Sequence, residues 1–172
     1  MNTEIERKFL IKKEFNNPKD LEFQLSISSE LEGFEYIRQG YLMSDNGKTL
    51  RIRESRQMFE VSKYILCLKV AVDGMTKREY EYEIPNEDGH LLLQSCGVNI
   101  VEKSRMKINH LGSIWEIDLF RGRNEGLIIA EIELKSKDES FCKPKFIGDE
   151  VTFDHHYSNH YLSRKPWKKE EK

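Results

Sequence analysis

Glu4-Ile5-Glu6-Arg7-Lys8-Phe9-Leu10-Ile11 opens the chain, and read as a strand it separates two kinds of chemistry. Side chains of a strand alternate between faces, so Glu4, Glu6 and Lys8 share one side while Ile5 and Phe9 share the other. Two carboxylates and an ammonium in a row can hold a divalent cation and touch a phosphate carried by that cation. An ordinary charged surface strand has the same appearance over so short a stretch. The decision therefore rests on whether other strands repeat the pattern.

They do. Period-two alternation predicts strands at about 3–11, 34–43, 48–54, 63–71, 76–84, 100–108, 113–120 and 127–135. Asp45-Asn46-Gly47, Asp73-Gly74, Gly112 and the stretch from Gly122 to Gly126 supply turns between them. Arg51 and Arg53 flank Ile52, and Lys69 opposes Leu66, Leu68 and Val70. Lys77, Glu79, Glu81 and Glu83 oppose Tyr80, Tyr82 and Ile84. Lys103 and Arg105 follow, then Glu116 and Asp118 against Trp115, Ile117 and Leu119, then Glu131 and Glu133 against Ala130, Ile132 and Leu134.

A wet sheet face explains alternation by itself. Here, however, the polar face is charged rather than filled with Ser, Thr or Gln. It is also segregated, with cationic strands at 48–54, 63–71 and 100–108 and acidic ones at 113–120 and 127–135. If the sheet closes, the apolar face points outward under helices and the charges point inward. So many enclosed charges need a ligand and metals to be satisfied. Arg forks suit phosphate oxygens, and paired carboxylates suit Mg²⁺ or Mn²⁺. The two together specify a metal-bound polyphosphate.

Helices are expected at roughly 18–31, 87–96 and 155–164, although Leu25-Ser26-Ile27 also fits a strand. The fold class is therefore α+β: an eight-stranded antiparallel β-barrel, or tunnel, with a charged interior and helices packed outside. At 172 residues the chain is expected to be one domain over 1–167, followed by a polar tail at 168–172.

Composition removes several function classes. Charged residues are 34% and hydrophobic ones 38%, too apolar for disorder. A net charge of −2, from 28 basic and 30 acidic residues, argues against a general nucleic-acid binder. The absence of a long apolar run or a secretory pattern points to a cytoplasmic protein without a membrane span. Cys67, Cys96 and Cys142 fit reduced thiols, buried or incidental.

Glu4-Ile5-Glu6-Arg7-Lys8 also resembles the ExExK signature of the CYTH superfamily, the triphosphate tunnel metalloenzymes. Further segments fall in that family's order: Gln39-Gly40-Tyr41-Leu42, Leu50-Arg51-Ile52-Arg53, Lys69, Glu79 through Pro85, Lys103-Ser104-Arg105, Trp115-Glu116-Ile117-Asp118, Ala130 through Leu134, Gly148 through Thr152, and Tyr157-Ser158-Asn159. Together they span nearly the whole chain and are most similar to the short bacterial members.

The resemblance implies a role for each inward charge. Glu4, Glu6 and Glu133, with Glu131 as a further candidate, would ligate Mg²⁺ or Mn²⁺. Lys8, Arg51, Arg53, Lys69, Lys77, Lys103 and Arg105 would grip phosphate oxygens. Lys8, Glu79, Glu81, Glu116 and Asp118 form the catalytic group, the carboxylates holding a second metal, placing water or ordering the basic side chains. Lys77 departs from the family, which usually has Arg there, so a point charge replaces a bidentate contact. The implied reaction is hydrolysis of inorganic triphosphate to pyrophosphate and phosphate.

Alternatives are a class IV adenylate cyclase, a thiamine or nucleoside triphosphatase, and a non-catalytic polyphosphate-binding module. The expected partner is a triphosphate-containing small molecule, with no nucleic-acid polymer and no membrane. A homodimer is an allowed assembly.

Other features receive structural readings. His155, His156 and His160 read as part of a helix capping the tunnel mouth rather than as a zinc site. Glu150 fits either the tunnel end or a strand-end salt bridge. Tyr36 and Tyr41 read as core or rim, Arg121 and Arg123 as a solvated turn, and Trp115 and Trp167 as packing residues.

Overall fold

A computed structural model describes residues 3–168; most of the expected polar tail lies outside the described residues. Its strands are β1 (Thr3–Ile11), β2 (Leu31–Asp45), β3 (Lys48–Gln57), β4 (Lys63–Ala71), β5 (Thr76–Ile84), β6 (Ile100–His110), β7 (Ser113–Arg121), β8 (Ile128–Glu133) and β9 (Ile147–Glu150). Its helices are α1 (Pro18–Ser26), α2 (Asn86–Ser95) and α3 (Asn159–Arg164).

The strands form one antiparallel sheet in the order β5-β4-β3-β2-β6-β7-β8-β1, and β1 returns to β5 to close an eight-stranded barrel. The closing seam is short: Thr3, Glu4 and Ile5 face Arg78, Lys77 and Thr76. Further along the same edge of β1, β9 takes over by pairing Phe9 with Glu150 and Ile11 with Ile147. The sequence pattern did not yield β9, which spans only four residues and leaves little room for alternation.

Parity along each strand turns the barrel inside out relative to an ordinary core. Outward residues of β1, β6, β7 and β8 form the main apolar cluster, including Phe9, Met106, Trp115, Ile117 and Ile132, with Leu21 and Leu25 of α1 above them. A second outer cluster joins Ile52 and Tyr64 to Leu93 of α2 and to Cys96, its C-cap. Gly89 of α2 lies so close that an added Cβ would stand 2.2 Å from the Tyr64 side chain.

The expected helix over 18–31 ends early, at Ser26. Leu31 is needed in β2, where it pairs with Ile108, so the intervening residues form the connection instead. The expected helix over 155–164 is split. Asp154 and Ser158 are both N-caps, one for a 3-10 turn at His155–Tyr157 and the other for α3. Asn46 and Gly47 both have positive φ, as a tight two-residue hairpin between β2 and β3 requires.

The inner face changes character near α3. Val101, Phe120 and Ile129 have the same inward parity as Lys103, Asp118 and Glu131, but they join Leu127 and Leu162 of α3 in an apolar cluster. The helix thus closes off that part of the barrel lumen with hydrocarbon, and the charged cavity begins beyond it. Among the described residues, no helix is long and apolar enough to cross a membrane.

Candidate active site

The lumen encloses a cavity of about 440 Å³. Glu4, Glu6 and Lys8 of β1, Arg51 and Arg53 of β3, and Lys69 of β4 line it. So do Lys77, Glu79 and Glu81 of β5, Lys103 and Arg105 of β6, Glu116 of β7, and Glu131 and Glu133 of β8. Of the residues expected in the site from sequence, only Asp118 lies behind the lining. It is fully buried and anchors Lys103 and Arg105 from beneath.

Two ion-pair groups order the cations. Arg105 grips Asp118 in a fork, Nε to Oδ1 at 2.6 Å and a terminal nitrogen to Oδ2 at 2.7 Å, and it also reaches Glu116 and Glu131. Lys8 bridges Glu131 and Glu6, the latter at 3.0 Å. Burial opposes charge on Lys8, but Glu131 and Glu6 outweigh it and hold the ammonium above its ordinary range. Burial likewise opposes charge on Glu131, yet Lys8, Lys103 and Arg105 hold its carboxyl well below its ordinary range. Lys103 moves the other way: its burial and the neighbouring Arg105 outweigh Asp118 and push its ammonium down.

On the opposite wall, Arg51 contacts Glu79 at 3.2 Å and Glu81 at 3.4 Å, while Arg53 contacts Glu81 at 3.1 Å. Lys69 reaches Glu4 at 2.7 Å and Glu79 at 3.1 Å. Cys67 faces inward here and its thiol donates to Glu79 at 3.1 Å. Burial pushes that thiol up to about 11. It remains protonated and is not a nucleophile.

The carboxylates of Glu6 and Glu133 behave differently. Burial, reinforced by Glu131, holds Glu6 above its ordinary range despite Lys8. Burial, with Glu4, Glu79 and Glu116 adding to it, does the same to Glu133. A concentration of negative charge that its own protein cations do not fully offset is an oxygen-rich environment suited to a hard divalent ion. Glu6 and Glu133 fit that requirement, and Glu4 lies beside them with both oxygens on Lys69, so ligation by it requires Lys69 to move. Glu131 has one oxygen on Lys8 and the other on Arg105, so ligation by it requires those partners to move.

Several lining residues were not in the expected set: Gln39, Tyr41, Thr49, Ser158, Asn159 and His160. The β2 residues that line the cavity, Ile37, Gln39 and Tyr41, are uncharged, so charge alternation could not reveal Gln39 and Tyr41. Their ladder positions opposite Arg53 and Arg51 put them in the site. Gln39 donates to the Tyr41 hydroxyl at 2.9 Å, and burial pushes the Tyr41 phenol up. The His160 ring packs edge-on against Tyr41 at 5.0 Å, bringing α3 into the wall. Arg51 Nε, Arg53 Nε, Asn159 Oδ1 and His160 Nε2 are buried without a protein hydrogen-bond partner, and all four residues line this cavity.

Of the residues left open by sequence, Tyr41 and His160 line the cavity, whereas Glu150, Tyr36, Arg121 and Arg123 fall outside it. Glu150 pairs with Arg7, and Tyr36 donates to Glu102 at 2.8 Å. Gly122 and Arg123 are exposed in a turn, as expected, and both arginines are also tied down. Arg121 holds Glu22 of α1 at 2.8 Å, and Arg123 donates to the carbonyl oxygens of Val98 and Ser163. Trp115 is core, with its indole N–H donating to the Cys142 carbonyl at 3.1 Å.

A closed antiparallel barrel with inward acids and bases is the geometry on which comparison with known proteins bears. The profile of the CYTH domain matches residues 2–161. The chain belongs to the CYTH family. Among its CYTH relatives, an inorganic triphosphatase of Acetivibrio thermocellus is 39% identical over 169 residues, covering 98% of this chain and 97% of that one. An inorganic triphosphatase of Nitrosomonas europaea is 31% identical, covering 94% and 97%. A solved crystal structure of an inorganic triphosphatase superposes with a TM-score of 0.62 at 32% identity, covering 95% of each chain.

Proposed function

We propose that this CYTH protein is a metal-dependent inorganic triphosphatase, cleaving tripolyphosphate to pyrophosphate and orthophosphate. One observation carries the reading: a single cavity joins a cationic wall to a group of carboxylates, Glu4, Glu6 and Glu133, in which Glu6 and Glu133 face each other directly across the β1–β8 ladder. The names of the two relatives at 39% and 31% identity agree with it.

Glu4, Glu6 and Glu133 would hold Mg²⁺ or Mn²⁺. That ion would supply charge neutralisation on phosphate oxygens and a more acidic water. The protein's own part is positioning and charge. Arg51 and Arg53 turn their forks toward phosphate oxygens, held in place by Glu79 and Glu81. Arg105, Lys103 and Lys8 form a second cationic wall, ordered by Asp118, Glu116 and Glu131. Water attacks the terminal phosphorus and loses a proton to solvent, the P–O–P bond breaks, and the bridging oxygen leaves with pyrophosphate as its negative charge grows. Cations fixed before the reaction stabilise that charge without reorganisation.

The lining favours inorganic triphosphate over nucleotides. Among the described lining residues the aromatic rings are Tyr41 and His160, and they pack on each other rather than framing a slot for a base.

Phosphate release tests the proposal, using tripolyphosphate, ATP and thiamine triphosphate with Mg²⁺ or Mn²⁺, cyclic AMP assayed in the ATP sample, and a Glu4→Gln/Glu6→Gln control. Preferential, metal-dependent cleavage of tripolyphosphate that is lost in the control supports the triphosphatase. Cyclic AMP with pyrophosphate reassigns it as a cyclase, and tight triphosphate binding without turnover leaves a binding module.

A further inference from the structure

Away from the tunnel lining, the turn that leads into α3 gathers three metal-ligating side chains. Ligand atoms of Asp154, His155 and His156 all lie within 4.8 Å of one another, and all three residues are exposed. The His155 and His156 rings pack at a 36° tilt with centroids 4.0 Å apart. Both stand edge-on to Tyr161 of α3, at 5.3 Å and 4.8 Å. The sequence spacing drew attention to His156 and His160, but His160 is turned into the tunnel and Asp154 takes its place in the cluster.

The local structure fixes this arrangement without any ion. Asp154 caps the 3-10 turn by accepting from the His156 backbone N–H, and its Oδ1 also meets His156 Nδ1 at 2.7 Å. An ion taken up here would replace the proton shared by that pair, so that His156 Nδ1 and the Asp154 carboxylate face it together with the His155 ring beside them. Ser158 ties the turn to α3, donating to the His155 carbonyl at 2.7 Å and accepting from Tyr161 N–H at 3.2 Å. The backbone therefore presents both imidazoles and one carboxylate from a single braced turn, so little conformational freedom remains to be lost on binding.

We propose that Asp154, His155 and His156 form a binding site for a borderline divalent cation of the Zn²⁺ class, separate from the hard-ion carboxylates of the tunnel. Two imidazole nitrogens and a carboxylate suit Zn²⁺, Cu²⁺ or Ni²⁺, whereas Mg²⁺ prefers an all-oxygen shell. Water would complete a four-coordinate shell. The site lies on the outer side of the segment whose next residues, Ser158, Asn159 and His160, line the tunnel. An ion held there would brace the helix that closes the lumen, and this follows whatever substrate the tunnel takes.

The test uses full-length, chelator-treated protein without phosphate compounds or Mg²⁺. Zn²⁺ is titrated by calorimetry, and Cu²⁺ is followed by paramagnetic resonance, which reports imidazole nitrogen. Wild type should bind one more equivalent of Zn²⁺ than a His155→Ala/His156→Ala variant, and its Cu²⁺ spectrum should carry nitrogen couplings that the variant loses. Asp154→Asn keeps the cap but removes the charge, and should weaken that equivalent by at least about tenfold. Equal Zn²⁺ stoichiometry and unchanged Cu²⁺ spectra in wild type and the double variant, with matching circular dichroism, would overturn the site.

Discussion

Glu6 stands directly across the β1–β8 ladder from Glu133. Like charges in that relation destabilise a sheet. Here burial holds the Glu6 carboxyl above its ordinary range, while partial burial with Glu4, Glu79 and Glu116 nearby raises that of Glu133, whose side chain reaches solvent. Fold stability and metal affinity are thus in opposition at this pair. In chelator-treated protein near neutral pH, Glu133→Gln should raise unfolding free energy by no more than about 0.5 kcal/mol, since solvent screens its exposed carboxylate, while lowering metal-dependent phosphate release by at least about a hundredfold. Urea denaturation with added chelator and a phosphate assay with metal measure the two effects on one preparation.

The same pair sets a pH trend. A carboxyl with a raised folded pKa makes its full contribution to stability below its unfolded value, and that contribution disappears as pH rises through the folded pKa. The advantage of Glu133→Gln over wild type should therefore be largest near neutral pH. It should shrink on acidification and vanish below the ordinary glutamate value of 4.5. Thermal melts across that range in chelator check the sign; an advantage growing toward acid would contradict it.

Asp118 should act as a structural anchor for two cations. It is fully buried beneath Lys103 and Arg105. Asp118→Ala leaves those charges without their anchor and should cost about 3–5 kcal/mol of stability, measured by chemical denaturation. Glu81→Gln, on a partly exposed side chain that orders Arg51 and Arg53, should cost less than about 1 kcal/mol by the same measurement.

The outer layer offers a control that does not touch the lumen. Gly89→Ala places a methyl group 2.2 Å from Tyr64, forcing α2 away from β4. Overpacking of this kind should lower stability by about 1–3 kcal/mol while phosphate release below the melting transition stays near wild type.

Thiol chemistry should separate the three cysteines. Cys142 is exposed, whereas Cys67 and Cys96 are buried and burial raises both thiols. A chromogenic disulfide should titrate one thiol quickly in native protein and all three after denaturation.

The barrel was legible because its charges keep one parity over many strands, so residues from Glu4 to Glu133 could be assigned to one lumen before any coordinates. Strand β2 escaped that reading. Its inward residues Gln39 and Tyr41 are uncharged, and only the ladder opposite Arg53 and Arg51 places them. Ser158, Asn159 and His160 escaped it too, since their approach depends on how α3 packs through Leu162. Strand β9 was missed because it is four residues long and joins β1 where β5 has already departed. Charge periodicity reports strand faces, whereas helix docking and short edge strands depend on contacts distant in sequence.

The closing seam gives the ring a weak joint. Three residue pairs join β1 to β5, and the Lys69–Glu4 ion pair at 2.7 Å stitches β4 to β1 across it. Fluctuations that part the barrel should begin there, because few backbone hydrogen bonds must break. Amides of Thr76–Arg78 should accordingly exchange with deuterated solvent sooner than those of β6 and β7. A ligand grasped by Glu4 on one side and Lys69 on the other would act as a clasp, so occupancy would be read in how slowly the seam exchanges.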